Sequence, residues 1–136
     1  RSSRLFQELY RQGIIFAQPG LSYEFTNIYA HILIDGQSNN PEKVYEEFKK
    51  EVKTFKENGI NEEDFERIRK MIYGGYVKEY NDVTDISRMF LADYFKGINS
   101  FDYLDEIESV SKEYTEQVLK QVFKEDKMVL SIVKNN

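Results

Sequence analysis

The sequence predicts an α+β domain: an antiparallel sheet covered on one face by several helices, among them a long helical hairpin. Three observations predict it. Apolar residues recur at helical spacing in two consecutive stretches, Val44-Tyr45-Phe48-Val52-Phe55 and Phe65-Ile68-Ile72-Tyr76-Tyr80. Alternating runs rich in Tyr, Ile and Val occur before them, at 23–27 and 29–35, and again at 127–133. Strands kept apart from helices in the chain order mean α+β.

Taken in order, Ser2 or Ser3 caps a short helix through Arg11 with Leu5, Phe6 and Leu9 on one side, and Gly13 ends it. Ile14 to Ala17 is a short apolar run, and Pro19-Gly20 is a turn signal. Tyr23 to Asn27 and Tyr29 to Asp35 read as strands, the second with Ala30, Ile32 and Ile34 on one face and Tyr29, His31 and Leu33 on the other. Pro41 suits the first turn of the hairpin's opening helix. Gly59 ends that helix, and Asn61 caps the next, with Glu62, Glu63 and Asp64 in the first turn where the helix dipole favours negative charge.

Gly74-Gly75 interrupts this second helix, and each Gly costs about 1 kcal/mol relative to Ala. It reads either as a tolerated weak spot or as a point where another backbone crosses closely. Asn81-Asp82 then breaks and recaps the chain. Ile86, Met89, Phe90 and Tyr94 mark a third long helix closed by Gly97. Ser100 and Ser111 cap two more, and Lys127 to Val133 reads as a final strand. Two or three early strands and one late one make a thin sheet. The expectation is a single domain, residues 1–136, that lacks its first strand and helix at the N-terminal side.

Composition narrows the function. The 136 residues suffice for one domain with a real core, and 40% hydrophobic and 15% aromatic content exclude a disordered chain. A net charge of −5 argues against a general nucleic-acid binder, because the lysines between 49 and 56 are interleaved with glutamates. With no Cys there is no disulfide, thiolate metal site or cysteine nucleophile, which suits a reducing, cytoplasmic setting. No apolar run approaches the roughly 20 residues of a membrane span.

The catalytic motifs are missing as well. His31 is the only histidine, and Asp35, on its strand face, lies about 13 Å away at about 3.3 Å per residue. That excludes both HExxH and its inverse, and there is no phosphate loop or nucleophile elbow. Neither a catalytic set nor a metal site can be assembled from these residues.

Four stretches, in order, resemble a known family. They are Ser2 to Tyr10 (SSRLFQELY), Ala30 to Val44 (AHILIDGQSNNPEKV), Gly59 to Arg67 (GINEEDFER), and Tyr94 to Val110 with Gly97 and Phe101-Asp102-Tyr103-Leu104. Together they resemble the C-terminal, non-zinc-binding domain of pitrilysin-like M16 metallopeptidases, half of an M16 or LuxS-like metallohydrolase fold. Tyr10 most resembles the bacterial two-domain type.

The resemblance implies a sister N-terminal M16 domain, in the same or a paired chain, that holds zinc through an inverted HxxEH motif. The two would form a homo- or heterodimeric clamshell around unfolded peptide, with no cofactor held by this chain. Active members lend an Arg and a Tyr from this domain to the substrate. Here Tyr10 stands at the Arg position and Phe16 at the Tyr position, with Arg11 and Tyr23 as nearby substitutes. The substrate-contacting residues implied are therefore Tyr10, Arg11, Phe16 and Tyr23. Two functions follow: a non-catalytic wall of an M16 peptidase, or a catalytically inactive member used for partner binding or assembly. An unrelated α+β binding module is a third reading.

Overall fold

The structure, a computed structural model, describes residues 3–26 and 28–134. The chain separates into two compact units: Gly59–Leu119 forms one, and the segments before and after it form the other. The expected α+β class is observed, with six α-helices and one antiparallel pair of strands among the described residues.

The first unit opens with α1, Arg4–Arg11. The Ser3 hydroxyl accepts from the Phe6 N–H at 3.3 Å, as the sequence implied; Ser2, the other capping candidate, lies outside the described residues. Gly13, at φ +67°, turns the chain back. Leu9, Ile14 and Ile15 then close on one another as a buried cluster against the half-buried Leu5, Phe6 and Val44. Backbone pairing between Ile15 and Ser38, with the Ser38 hydroxyl donating to the Ile14 carbonyl at 2.8 Å, ties this cluster to the start of the next helix. That helix, α2, runs Pro41–Asn58. Asn40 Oδ1 accepts from the Lys43 N–H at 3.0 Å, and Pro41 fills the position where a missing N–H costs nothing.

Between α1 and α2 lies the sheet. Strand β1 is Gly20–Phe25 and β2 is Ala30–Asp35, paired antiparallel with Glu24 opposite His31 and Gly20 opposite Asp35. The Thr26 hydroxyl holds the turn by accepting from the Ile28 and Tyr29 N–H groups, each at 3.2 Å. Asn27, expected at the end of β1, lies outside the described residues. All of β2, and β1 up to Glu24, is exposed. The helical cover expected on one face is therefore not seen over these strands, since a two-stranded ribbon offers too little apolar surface to form a layer.

The final strand expected at 127–133 does not form. Glu125–Lys127 is a 3-10 turn, Met128 after it is extended, and no strand is formed beyond it among the described residues. β-propensity sets extended backbone but supplies no neighbour. The Tyr45 hydroxyl donates to the Met128 carbonyl at 3.1 Å, occupying one acceptor that a ladder would use. Close by, the Phe48 ring meets the Phe123 ring edge-on at 5.9 Å.

The second unit begins with Gly59 at φ +77°, a left-handed conformation open to glycine, and α3 follows at Glu62–Glu79. Asn61 Oδ1 caps it through the Asp64 N–H at 3.1 Å. Helices α4, Val83–Tyr94, and α5, Tyr103–Ser109, follow. Next comes α6, Lys112–Val122, capped by the Ser111 hydroxyl on the Tyr114 N–H at 3.1 Å. Gly97, at φ +74°, closes α4 as expected.

Helix α3 packs on α5. The Tyr76 and Tyr103 rings lie 5.0 Å apart, and Arg69 Nη1 donates to the Glu108 carbonyl at 3.0 Å. From α6, Glu116 Oε1 accepts from the Ile60 N–H at 2.7 Å, and Lys112 pairs with Glu62 at 3.0 Å.

One open alternative is decided and one local reading is corrected. A Cβ at Gly74 or Gly75 would meet nothing within 4 Å among the described residues, so no backbone crosses there and the glycines are a tolerated weak spot. Ser100 is not a helix cap. It sits in a 3-10 turn, Ser100–Asp102, capped instead by Asn99. Its hydroxyl is buried against α4, where Asp93 accepts it.

Candidate functional site

The residues proposed to face substrate lie on and after α1. Phe6 and Tyr10 share a face at the four-residue spacing of a helix, and Gly13 returns Ile15 beside them. With Gln7 and Gln18 these side chains line a shallow groove of about 190 Å3. Leu5, Glu8, Leu9, Gln12, Lys43 and Glu47 line a smaller hollow of about 150 Å3.

Of the four sequence candidates, Tyr10 and Arg11 lie on α1, Phe16 follows it and Tyr23 lies on β1. Tyr10 is 60% exposed and lines the groove; Phe16 is exposed and does not. Arg11 is drawn onto Glu8, one turn back on the same helix, in an exposed ion pair. Glu8 also accepts from Gln12 Nε2 at 2.8 Å, so its carboxylate is shared. Tyr23 lies on β1, its ring stacked on Phe25 at 6.4 Å. Local reading missed Phe6, Ile15 and Gln18. For Phe6 the helical spacing to Tyr10 was available as a signal, whereas Ile15 and Gln18 arrive only through the Gly13 turn.

A second polar grouping occupies the strand pair. The Tyr29 hydroxyl donates to Glu24 Oε1 at 3.0 Å, the Tyr29 ring stacks on His31 at 6.0 Å, and His31 Nε2 stands 4.0 Å from Glu24 Oε2. The bond to Glu24, and then its charge, raise the Tyr29 phenol above its ordinary value of 10.0. Asp35 lies at the opposite end of the ribbon. The pair supplies two exposed donors where zinc needs three or four, and no group of three His, Cys, Asp or Glu residues converges among the described residues. These residues do not fit a zinc centre.

No helix among the described residues is long and apolar enough to cross a membrane. What the α1 groove offers is an aromatic and apolar wall with amide groups.

A family model described as "Peptidase M16 inactive domain" matches residues 1–72, which takes in α1, its groove, the strand pair, α2 and the first part of α3. No curated protein matches the chain, and no solved structure does.

Proposed function

This chain belongs to the Peptidase M16 inactive-domain family, and on that premise we propose that it is a non-catalytic wall enclosing unfolded peptide in an M16 peptidase. In this reading the zinc is held by a sister M16 domain, of the same or a paired chain. The observation that carries it is the coincidence of the family match with the α1 groove: residues 1–72 include Phe6, Tyr10 and Ile15, the apolar side chains that line it. Exposed rings at Tyr10 and Phe16 suit an extended peptide, whose side chains can be held without any bond being broken.

A second reading has its own observation. Tyr10 and Phe16 occupy positions where the resemblance puts an Arg and a Tyr in active members, and Arg11 is drawn onto Glu8. This favours a catalytically inactive member serving partner binding or assembly.

A photoreactive phenylalanine at position 10 or 16 of the assembled protein separates the two. The wall reading expects cross-links to an added unfolded peptide, competed by the unlabelled peptide. Cross-links to a partner subunit alone would transfer the assignment to the assembly reading.

A further inference from the structure

Charge is divided unevenly along the chain. Residues 59–119 carry fourteen Asp and Glu against seven Lys and Arg, while the rest carries ten against twelve. The acidic unit also exposes a continuous run of aromatic rings. The Tyr80 ring stacks on Phe101 at 6.0 Å, Phe101 lies 6.3 Å from Phe90, and Phe90 stacks on Tyr94 at 6.0 Å. Tyr94 then meets Phe95 edge-on at 5.8 Å. Away from Tyr80 the ridge is open to solvent: Phe101 is 57% exposed, Tyr94 65% and Phe95 81%. Contiguous apolar surface of this kind marks an interaction site more often than a tolerated exposure.

The surroundings of the ridge give the sign of the partner's charge. Asp102 follows Phe101 in the chain, its carboxylate fixed by Asn99 Nδ2 at 2.7 Å. Asp93, Glu79 and Asp102 stand close enough to the Tyr80 phenol to add to the upward push that its burial gives. On α4 the cation Arg88 pairs with Asp85 at 3.5 Å, and Lys96 follows Phe95.

We propose that the ridge of Phe90, Tyr94, Phe95 and Phe101 docks a basic, apolar segment of another polypeptide. Arginine or lysine heads would sit over ring faces and toward Asp102 and Glu79, with their stems and apolar neighbours covering the rings. A second copy of this chain is a poor occupant, because ridges meeting one another would bring together two units of net negative charge. This surface belongs to the unit that does not contain the α1 groove, so the proposal stands apart from the peptide-wall reading.

The test titrates the 136-residue chain with a short labelled peptide of alternating Arg and Leu, read by fluorescence anisotropy, against a counterpart with Glu for Arg. The Arg peptide is expected to bind at least about tenfold more tightly, and added salt to weaken it. Tyr94→Ala with Phe95→Ala, both at exposed positions, should lower affinity by about tenfold or more with the helical circular dichroism unchanged. Equal binding of the two peptides overturns the proposal, as does binding indifferent to the double substitution. So does a dimer, seen by sedimentation, that Phe95→Ala dissolves. Neither Tyr10 nor Phe16 is altered, so failure here leaves the wall reading standing.

Discussion

The Ser100 hydroxyl donates to Asp93 Oδ2 at 2.8 Å in a place where both residues are buried, Ser100 completely. The Ser100 carbonyl in turn accepts from the Tyr80 hydroxyl, so one residue joins the end of α3, the end of α4 and the turn before α5. A carboxylate that has left water needs a donor, and Ser100 supplies it.

Ser100→Ala should therefore lower stability by about 1–3 kcal/mol, because it leaves a buried acceptor unsatisfied. Urea unfolding measures it. An unchanged midpoint would mean that water reaches Asp93 and replaces the hydroxyl.

Leu9→Ala probes the cluster on which the α1 groove is built. Leu9 is 2% exposed and packs with Ile14 and Ile15. A loss of about 2–5 kcal/mol is expected from lost burial and the cavity left behind. Thermal unfolding checks it; a change below that range would mean the cluster collapses around the smaller side chain.

Two glycines separate backbone need from tolerance. Gly59→Ala forces a side chain into a left-handed conformation, and its Cβ would lie 2.8 Å from Glu116 Oε1, the acceptor of the Ile60 N–H. It should cost about 1–2 kcal/mol or more. Gly74→Ala, with open space around it, should instead gain about 1 kcal/mol. Denaturant melts of the two variants should shift in opposite directions.

Asp82 gives a pH dependence. The Asp85 N–H, then the Thr84 N–H, hold its carboxyl below the ordinary 3.8. The folded state thus favours the charged form. Its contribution is present above the unfolded value and is lost as pH falls through the lower, folded one. Asp82→Asn keeps an oxygen acceptor but does not titrate, so its stability should fall less steeply below pH 3.8 than the parent's. Parallel acid profiles for the two proteins would contradict this.

What the sequence made legible was what neighbours in the chain decide. Ser3, Asn61 and Ser111 cap helices because their oxygens reach N–H groups three residues on, and Gly59 and Gly97 turn where the apolar period stops. What it hid depends on distant partners. Residues 128–133 have strand composition, but nothing local could show that no ladder forms there. Ser100 has the spacing of a cap, yet the Asp93 carboxylate seven residues back takes its hydroxyl. At the candidate site, Tyr10 and Phe16 were found through resemblance, whereas the groove around Tyr10 needed the Gly13 turn to bring Ile15 and Gln18 beside it.

The most direct measurement is hydrolysis of a quenched fluorogenic unstructured peptide by this chain alone, with zinc supplied and then removed by a chelator. The chain is expected to leave the peptide intact at every zinc concentration. Cleavage that the chelator abolishes and that His31→Ala also removes would contradict a wall without a metal centre of its own.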